Sequence, residues 1–151
     1  MWKNRQRGTQ SGAMKRVVNP KGLFNSLEYG FSQAVVTRGG RMVHVAGQTA
    51  WDSKRRIVGK GNLKVQVRKS LENLTVALEE AGAGAEDVVR LRIYVVKMKQ
   101  KDVSTVGEEM RRFFPAKTPP ACTLLGVQAL ANPEFLVEID ATAVLQRGKR
   151  E

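Results

Sequence analysis

Residues 118–145, TPPACTLLGVQALANPEFLVEIDATAVL, decide the fold. The second half of this stretch alternates almost without fault. Phe135, Val137, Ile139, Ala141, Ala143 and Leu145 fall on one face of an extended strand, and Leu136, Glu138, Asp140 and Thr142 fall on the other. The run from Ala121 to Val127 is apolar and free of acidic residues. Ala131-Asn132-Pro133 separates the two halves, and a proline that fixes φ and removes a donor predicts a turn. The expectation is a long β-hairpin or near-hairpin whose apolar face covers a core. Its opposite face is expected to carry Cys122 on one strand and Glu138 with Asp140 on the other, as the floor of any reactive pocket.

Working outward, Val103, Val106, Met110, Phe113 and Phe114 keep helical spacing, with Asp102 or Ser104 as cap and Pro115 as the stop. Residues 87–96 alternate again, setting Arg90, Arg92 and Tyr94 opposite Leu91, Ile93 and Val95. Before that strand lies a second helix. Asn62 suits its N-cap, Leu63, Val67, Leu71, Leu74, Leu78 and Ala81 form its apolar stripe, and Gly82 suits its left-handed end. Residues 31–37 and 42–46 read as strands joined by Gly39-Gly40, a hairpin signal because a tight turn needs positive φ. Ile57-Val58 reads as a short extra strand. The Gly59-Lys60-Gly61 run lacks the spacing of a phosphate loop and reads as a connector. His44 lies opposite Val43 and Val45 with no recognisable nucleophile motif beside it, so it reads as structural. The order β-β-(β)-α-β-α-β-β predicts an α+β domain with two helices on one face of a mixed sheet. The other face would be exposed in a monomer, and oligomerisation is expected to bury it.

Composition narrows the function classes. A chain of 151 residues suits one domain, expected over 15–147, with a basic disordered tail over 1–14 and a short basic tail over 148–151. Met14 is a candidate natural start, because extended apolar character begins there. Half of the net charge of +12 comes from residues 1–21, which hold six basic and no acidic side chains, so the charge reads as a solvated terminus rather than a nucleic-acid footprint. One cysteine excludes an intrachain disulfide, and one histidine with one cysteine cannot build the usual zinc site. No apolar run reaches the roughly 18 residues of a membrane span, and nothing reads as a secretory signal, so a cytoplasmic protein without membrane partner or cofactor is expected.

A set of short motifs occurs in order: Phe31-Ser32-Gln33-Ala34-Val35, Ala46-Gly47-Gln48, Gln66 with Leu71-x-Asn73-Leu74, Ala81-Gly82, Asp87-Val88-Val89, Phe113-Phe114, Pro120-Ala121 and Val137-Glu138-Ile139-Asp140-Ala141. With these the chain resembles the Rid (reactive intermediate deaminase, YjgF-like) family over residues 23–145. The resemblance implies a chorismate-mutase-like α+β fold and a homotrimer whose sheets form a central barrel, with small-molecule pockets at the subunit interfaces. It also implies hydrolysis of 2-imino acids or their enamine tautomers to 2-keto acids and ammonia. In such proteins an arginine after the Pro-Ala pair grips the substrate carboxylate, a glutamate on the last strand positions water, and a Ser-Gly-Gln stretch and a first-strand tyrosine line the site. Here Glu138 and Gly47 match, whereas Phe31 replaces the tyrosine, Ala46 the serine and Cys122 the arginine.

Loss of that guanidinium removes a charge-assisted contact worth roughly 1.5–3 kcal/mol, so poor activity on simple 2-imino acids is expected. Glu138 is the expected catalytic residue, with Cys122, Phe31, Gly47, Ala46 and Gln48 as ligand contacts. Cys122 reads as an inert or ligand-contacting thiol, since a thiolate needs a nearby cation or helix N-terminus to lower its pKa and Glu138, expected across the pocket, would work the other way. Asp140 reads as structural. Three functions follow: a divergent imine or enamine hydrolase, a noncatalytic trimer that binds a metabolite or regulatory partner, and an RNA-binding or endoribonuclease-like protein. The last finds no aromatic stacking platform in the sequence.

Overall fold

In the computed structural model, which describes residues 15–145, the strand predicted over 87–96 becomes the hub of the sheet. It spans Val88–Val96 and is here called β4. The strands Lys15–Val18 (β1), Ala34–Thr37 (β2) and Arg41–Gln48 (β3) precede it, together with the helix Leu63–Glu80 (α1). The helix Gln100–Phe113 (α2) and the strands Ala121–Val127 (β5) and Val137–Leu145 (β6) follow. The main sheet runs β3-β6-β4-β5, and β1 pairs with β2 in a separate two-stranded ribbon. The expectations for residues 1–14 and 148–151 lie outside the described residues.

The two halves of the opening stretch are not a hairpin. β5 lies parallel to β4, with Leu91 level with Cys122 and Ile93 level with Leu124. β6 lies antiparallel on the other side of β4, with Ile93 level with Ile139 and Tyr94 level with Glu138. A parallel pair needs a crossover of a dozen residues or more, usually a helix. α2 supplies it between β4 and β5, so β6 is left with the other edge of β4. This placement also buries the most regular apolar strand between two partners. Val137, Ile139, Ala141, Ala143 and Leu145 are all buried, while β5 takes the more exposed edge.

The glycine turn has the predicted chemistry, with Gly39 and Gly40 at φ +63° and +96°. The strands it joins belong to different sheets, however, so the expected hairpin is a sheet-to-sheet corner. The extra strand falls at Lys15–Val18, and Ile57 makes only a single bridge to Trp51.

Both helices are fixed largely by local chemistry. Asn62 Oδ1 accepts from the Val65 amide at 3.2 Å. At the other end of α1, Gly82 adopts φ +77°, and the amides of Gly82 and Ala83 donate to the Glu79 and Leu78 carbonyls. That is the left-handed close the sequence predicts. On α2, Asp102 sits in the first turn and accepts from the Lys99 amide at 2.7 Å, while Ser104 takes no capping role. Leu71, Leu74 and Leu78 of α1 and Val106 and Met110 of α2 pack onto Leu91, Ile93 and Ile139. Burying each large aliphatic side chain is worth about 1.5–3 kcal/mol. A surface ion pair contributes about 0–1 kcal/mol, so this helix-on-sheet layer holds the fold.

Two amides named in the motif set bind loops. Gln66, fully buried, donates to the Glu134 and Gly59 carbonyls and accepts from the Leu136 amide at 2.8 Å. Asn73 donates to the carbonyls of Thr49 and Trp51, each at 2.8 Å. Gln66 therefore sets the entry to β6, and Asn73 holds the loop leaving β3.

Candidate functional site

The parallel register of β5 decides where Cys122 points. Leu91, Ile93 and Val95 face the helices, so Cys122 and Leu124, level with the first two, face them as well. Glu138 is level with Tyr94 on the opposite, open face. The expectation that Cys122 and Glu138 share one face is thus corrected. It assumed a hairpin parity, whereas the intervening strand β4 and the parallel pairing set the two on opposite sides of the sheet. Within one chain the candidate site residues form two separate groups.

The first group lines a cavity of about 190 Å³ between α2 and β5. Phe31 and Cys122 meet there, joined by Tyr29, Met110 and Leu124. A buried serine holds them together: Ser32 donates from its amide to the Pro120 carbonyl at 2.9 Å and from its hydroxyl to the Pro119 carbonyl at 2.6 Å. Ser32 also bridges Ala121. This clamp draws the segment before β2 alongside the start of β5 and sets Phe31 next to Cys122. Arg111 fastens the same segment to α2 by donating to the Glu28 carbonyl at 2.8 Å. Burial pushes the Cys122 thiol up to about 12, so the sulfur is a neutral thiol at physiological pH.

The second group lies at a bulge in β3. Val45 is level with Ala141 and Gln48 with Ile139, which leaves Ala46 and Gly47 opposite a single residue of β6. Glu138 reaches into this bulge and lies against Gly47. A Cβ added at Gly47 would overlap the carboxylate and meet Cδ and Cγ of Glu138 at 2.6 and 2.8 Å. Only glycine permits that approach, although its φ is not in the left-handed region. Gln48 turns its amide back onto the Ala46 carbonyl at 3.1 Å. Glu138 is partly buried and has no hydrogen-bond or ion-pair partner among the described residues.

Its neighbour two positions on differs. Asp140 accepts from Arg92 Nε at 3.0 and 3.1 Å and from the Tyr94 hydroxyl at 3.2 Å. Next along the open face, His44 Nδ1 lies 3.5 Å from the Thr142 hydroxyl. The same face exposes Met42 of β3 and Leu125 of β5.

Sequence reasoning missed Tyr29 and Gly107 as cavity residues. The aromatic run Phe24, Tyr29 and Phe31 was the available signal. Phe24 stacks edge-on against both, at 5.9 and 6.1 Å between centroids. A wider groove of about 550 Å³ lies between the starts of the two helices and is lined by Lys64, Lys97, Lys99 and Lys101. None of the candidate residues reaches it. No helix is long and apolar enough to cross a membrane among the described residues.

Residues 25–145 match the family model described as Endoribonuclease L-PSP. A RutC family protein from Synechocystis is 36% identical over 116 residues, covering 76% of this chain and 85% of that protein. The 2-iminobutanoate/2-iminopropanoate deaminase of Salmonella typhimurium is 33% identical over 107 residues, covering 70% of this chain and 80% of that protein. Among solved structures, YyfB of Yersinia pestis, a Rid family protein, superimposes with a TM-score of 0.84 at 41% identity, covering 88% of this chain and 100% of that one.

Proposed function

The chain belongs to the Endoribonuclease L-PSP family, which takes in the RutC and Rid proteins, and from that premise we propose that it is a Rid-type homotrimeric hydrolase of imines or enamines other than simple 2-imino acids. The observation that carries this reading is the Glu138 carboxylate, lodged against Gly47 in the β3 bulge with no partner among the described residues. An unengaged carboxylate accepts a proton from water, whereas Asp140 has its oxygens occupied by Arg92 and Tyr94. In the reaction, Glu138 takes a proton from water as the oxygen adds to the carbon of a C=N bond and returns it to the nitrogen. The hydroxyl proton then passes, again by way of Glu138, to the nitrogen as the C–N bond breaks and the C=O bond forms, leaving a carbonyl compound and ammonia or an amine.

The opposite-face placement of Cys122 and Glu138 supports pockets between subunits. One copy would supply the cavity wall of Phe31 and Cys122, and its neighbour the bulge with Ala46, Gly47, Gln48 and Glu138. The trimer would also cover the open sheet face, on which Met42 is 58% exposed. A 2-imino acid fits this pocket poorly. No guanidinium stands beside Cys122 among the cavity residues to receive its carboxylate, and an uncompensated buried charge is costly.

The test is a Glu138→Gln variant assayed on a panel of enzymatically generated imines, with sedimentation to establish the trimer. General-base catalysis contributes roughly 10²–10⁴-fold, so turnover should fall at least a hundredfold on whichever imine the parent accepts. Parent-like turnover by the variant, or a monomer at working concentration, would sink the proposal. A trimer that binds a ligand but changes in affinity alone with Glu138→Gln would establish a noncatalytic binder instead. The neutral, cation-free cavity around Cys122 favours that second reading.

A further inference from the structure

The cavity beneath α2 is specific in what it lacks. None of its nine lining residues carries a carboxylate, ammonium, guanidinium or imidazole. Its walls are Ile93 and Leu124 from the sheet and Val103, Val106 and Met110 from the α2 side, and the only polar side-chain groups are the Cys122 thiol and the Tyr29 hydroxyl. Burial keeps that thiol neutral. At about 190 Å³ the space exceeds the roughly 150 Å³ of an engineered apolar cavity that admits benzene. Tyr29 is 51% exposed, and Phe24 packs edge-on against both Tyr29 and Phe31.

We propose that the ligand of this protein presents an uncharged, benzene-sized apolar group, an aromatic ring or a branched alkyl chain, to the cavity between α2 and β5, and that Gly107 on α2 sets its size limit. This inference rests on the reading that the cavity is the ligand site. It adds what that site takes. The polar, reacting part of the ligand stays at the rim, because no charged side chain lines the cavity and the Arg111 guanidinium beside Gly107 is held by the Glu28 carbonyl.

Gly107 provides a clean probe. A Cβ there would meet only Arg111 Nη1 at 3.2 Å and the Tyr29 carbonyl at 3.6 Å, so alanine fits if Arg111, whose Nη1 donates to the Glu28 carbonyl, gives by a few tenths of an ångström. Glycine inside a helix is less favourable than alanine, so Gly107→Ala should not unfold the protein while it takes space from the cavity.

The experiment titrates the full chain with toluene and with benzoate, which share a ring and differ by a charge, following binding by NMR shifts. Toluene should bind at least tenfold more tightly than benzoate. Gly107→Ala should weaken toluene at least fivefold without lowering the melting temperature, and Glu138→Gln should leave toluene affinity within twofold. Absence of toluene binding, equal affinity for benzoate, or no effect of Gly107→Ala would overturn the inference. The two readings fail separately. Loss of the toluene pattern with turnover still dependent on Glu138 rejects the apolar-group inference alone. An intact toluene pattern with Glu138→Gln turning over normally rejects the hydrolase alone.

Discussion

On the helix side of the sheet, Cys122 sits in a cavity without a charged side chain, between Leu124 and Met110. On the open side, Arg92 and Tyr94 of β4 and Asp140 of β6 form a hydrogen-bonded cluster, and Glu138 rests in a bulge beside it. The two regions share β4, whose alternate residues face one or the other. One strand can therefore carry an apolar recognition surface and a charged reactive surface at once. A second copy of the chain is the natural way to bring them together.

The bulge is where the largest effect is expected. Gly47→Ala forces the Glu138 carboxylate out of its seat. Turnover should fall about ten- to a hundredfold, and overpacking should cost about 1–3 kcal/mol, while toluene binding on the other face stays unchanged. Parallel activity and melting measurements check this, and wild-type turnover by the alanine variant would show that the seat is irrelevant.

A second glutamate sharpens the contrast. Glu109 on α2 is 4% exposed and accepts from Arg68 at 2.8 and 3.1 Å, with Arg112 at 3.4 Å. The hydrogen bond from Arg68 holds its carboxyl below the usual carboxylate range, with smaller help from Arg112 and Lys64. Glu109→Gln should lower stability by about 1.5–3 kcal/mol near neutral pH, the worth of hydrogen bonds to a charged group, and leave turnover within twofold. Because the folded pKa is depressed, the stabilisation is present above the ordinary value of 4.5 and is lost as pH falls through the folded one. The deficit of the variant, read from denaturant melts, should therefore shrink in acid. Glu138→Gln should show the reverse pattern, with turnover lost and stability kept.

The smallest effect concerns the thiol. With its pKa raised from 9.0 to about 12, Cys122 should resist iodoacetamide at pH 8 in the native protein and react readily once unfolded. Its neutral form is favoured in the folded state. The associated stability is therefore complete below pH 9 and is lost as pH rises towards 12. Fast native labelling would mean that the cavity opens far more than its burial indicates.

Features built from neighbours in the chain were legible in the sequence. Asn62, Gly82 and the leucine stripe marked α1, and the alternation of Leu91, Ile93 and Val95 marked β4, because capping and face parity are local. Strand partnership was not legible. Periodicity tells which residues share a face of one strand, and nothing in residues 118–145 says that β4 lies between β5 and β6. From that single omission the wrong side was assigned to Cys122. Phe31 lies with Cys122, and Gly47 with Glu138, as two groups within one chain. Tyr29 is silent in the sequence because it lies off any apolar period, and Gly107 because, although it falls on the α2 stripe between Val103 and Met110, it carries no side chain. One comes from an irregular turn, and the other is recognised only by the space it leaves.

The Ser32 clamp has a practical consequence. Its amide donates to the Pro120 carbonyl one residue from Phe31 and two from Cys122, so opening of that hydrogen bond would release the Phe31 segment from the start of β5. Any occupant that spans Phe31 and Cys122 stabilises the closed state and slows solvent hydrogen exchange at this amide by its own binding factor. A single backbone proton thereby reports occupancy by any compound, with no chromogenic substrate and no label, which turns an unbiased metabolite screen into a one-signal measurement.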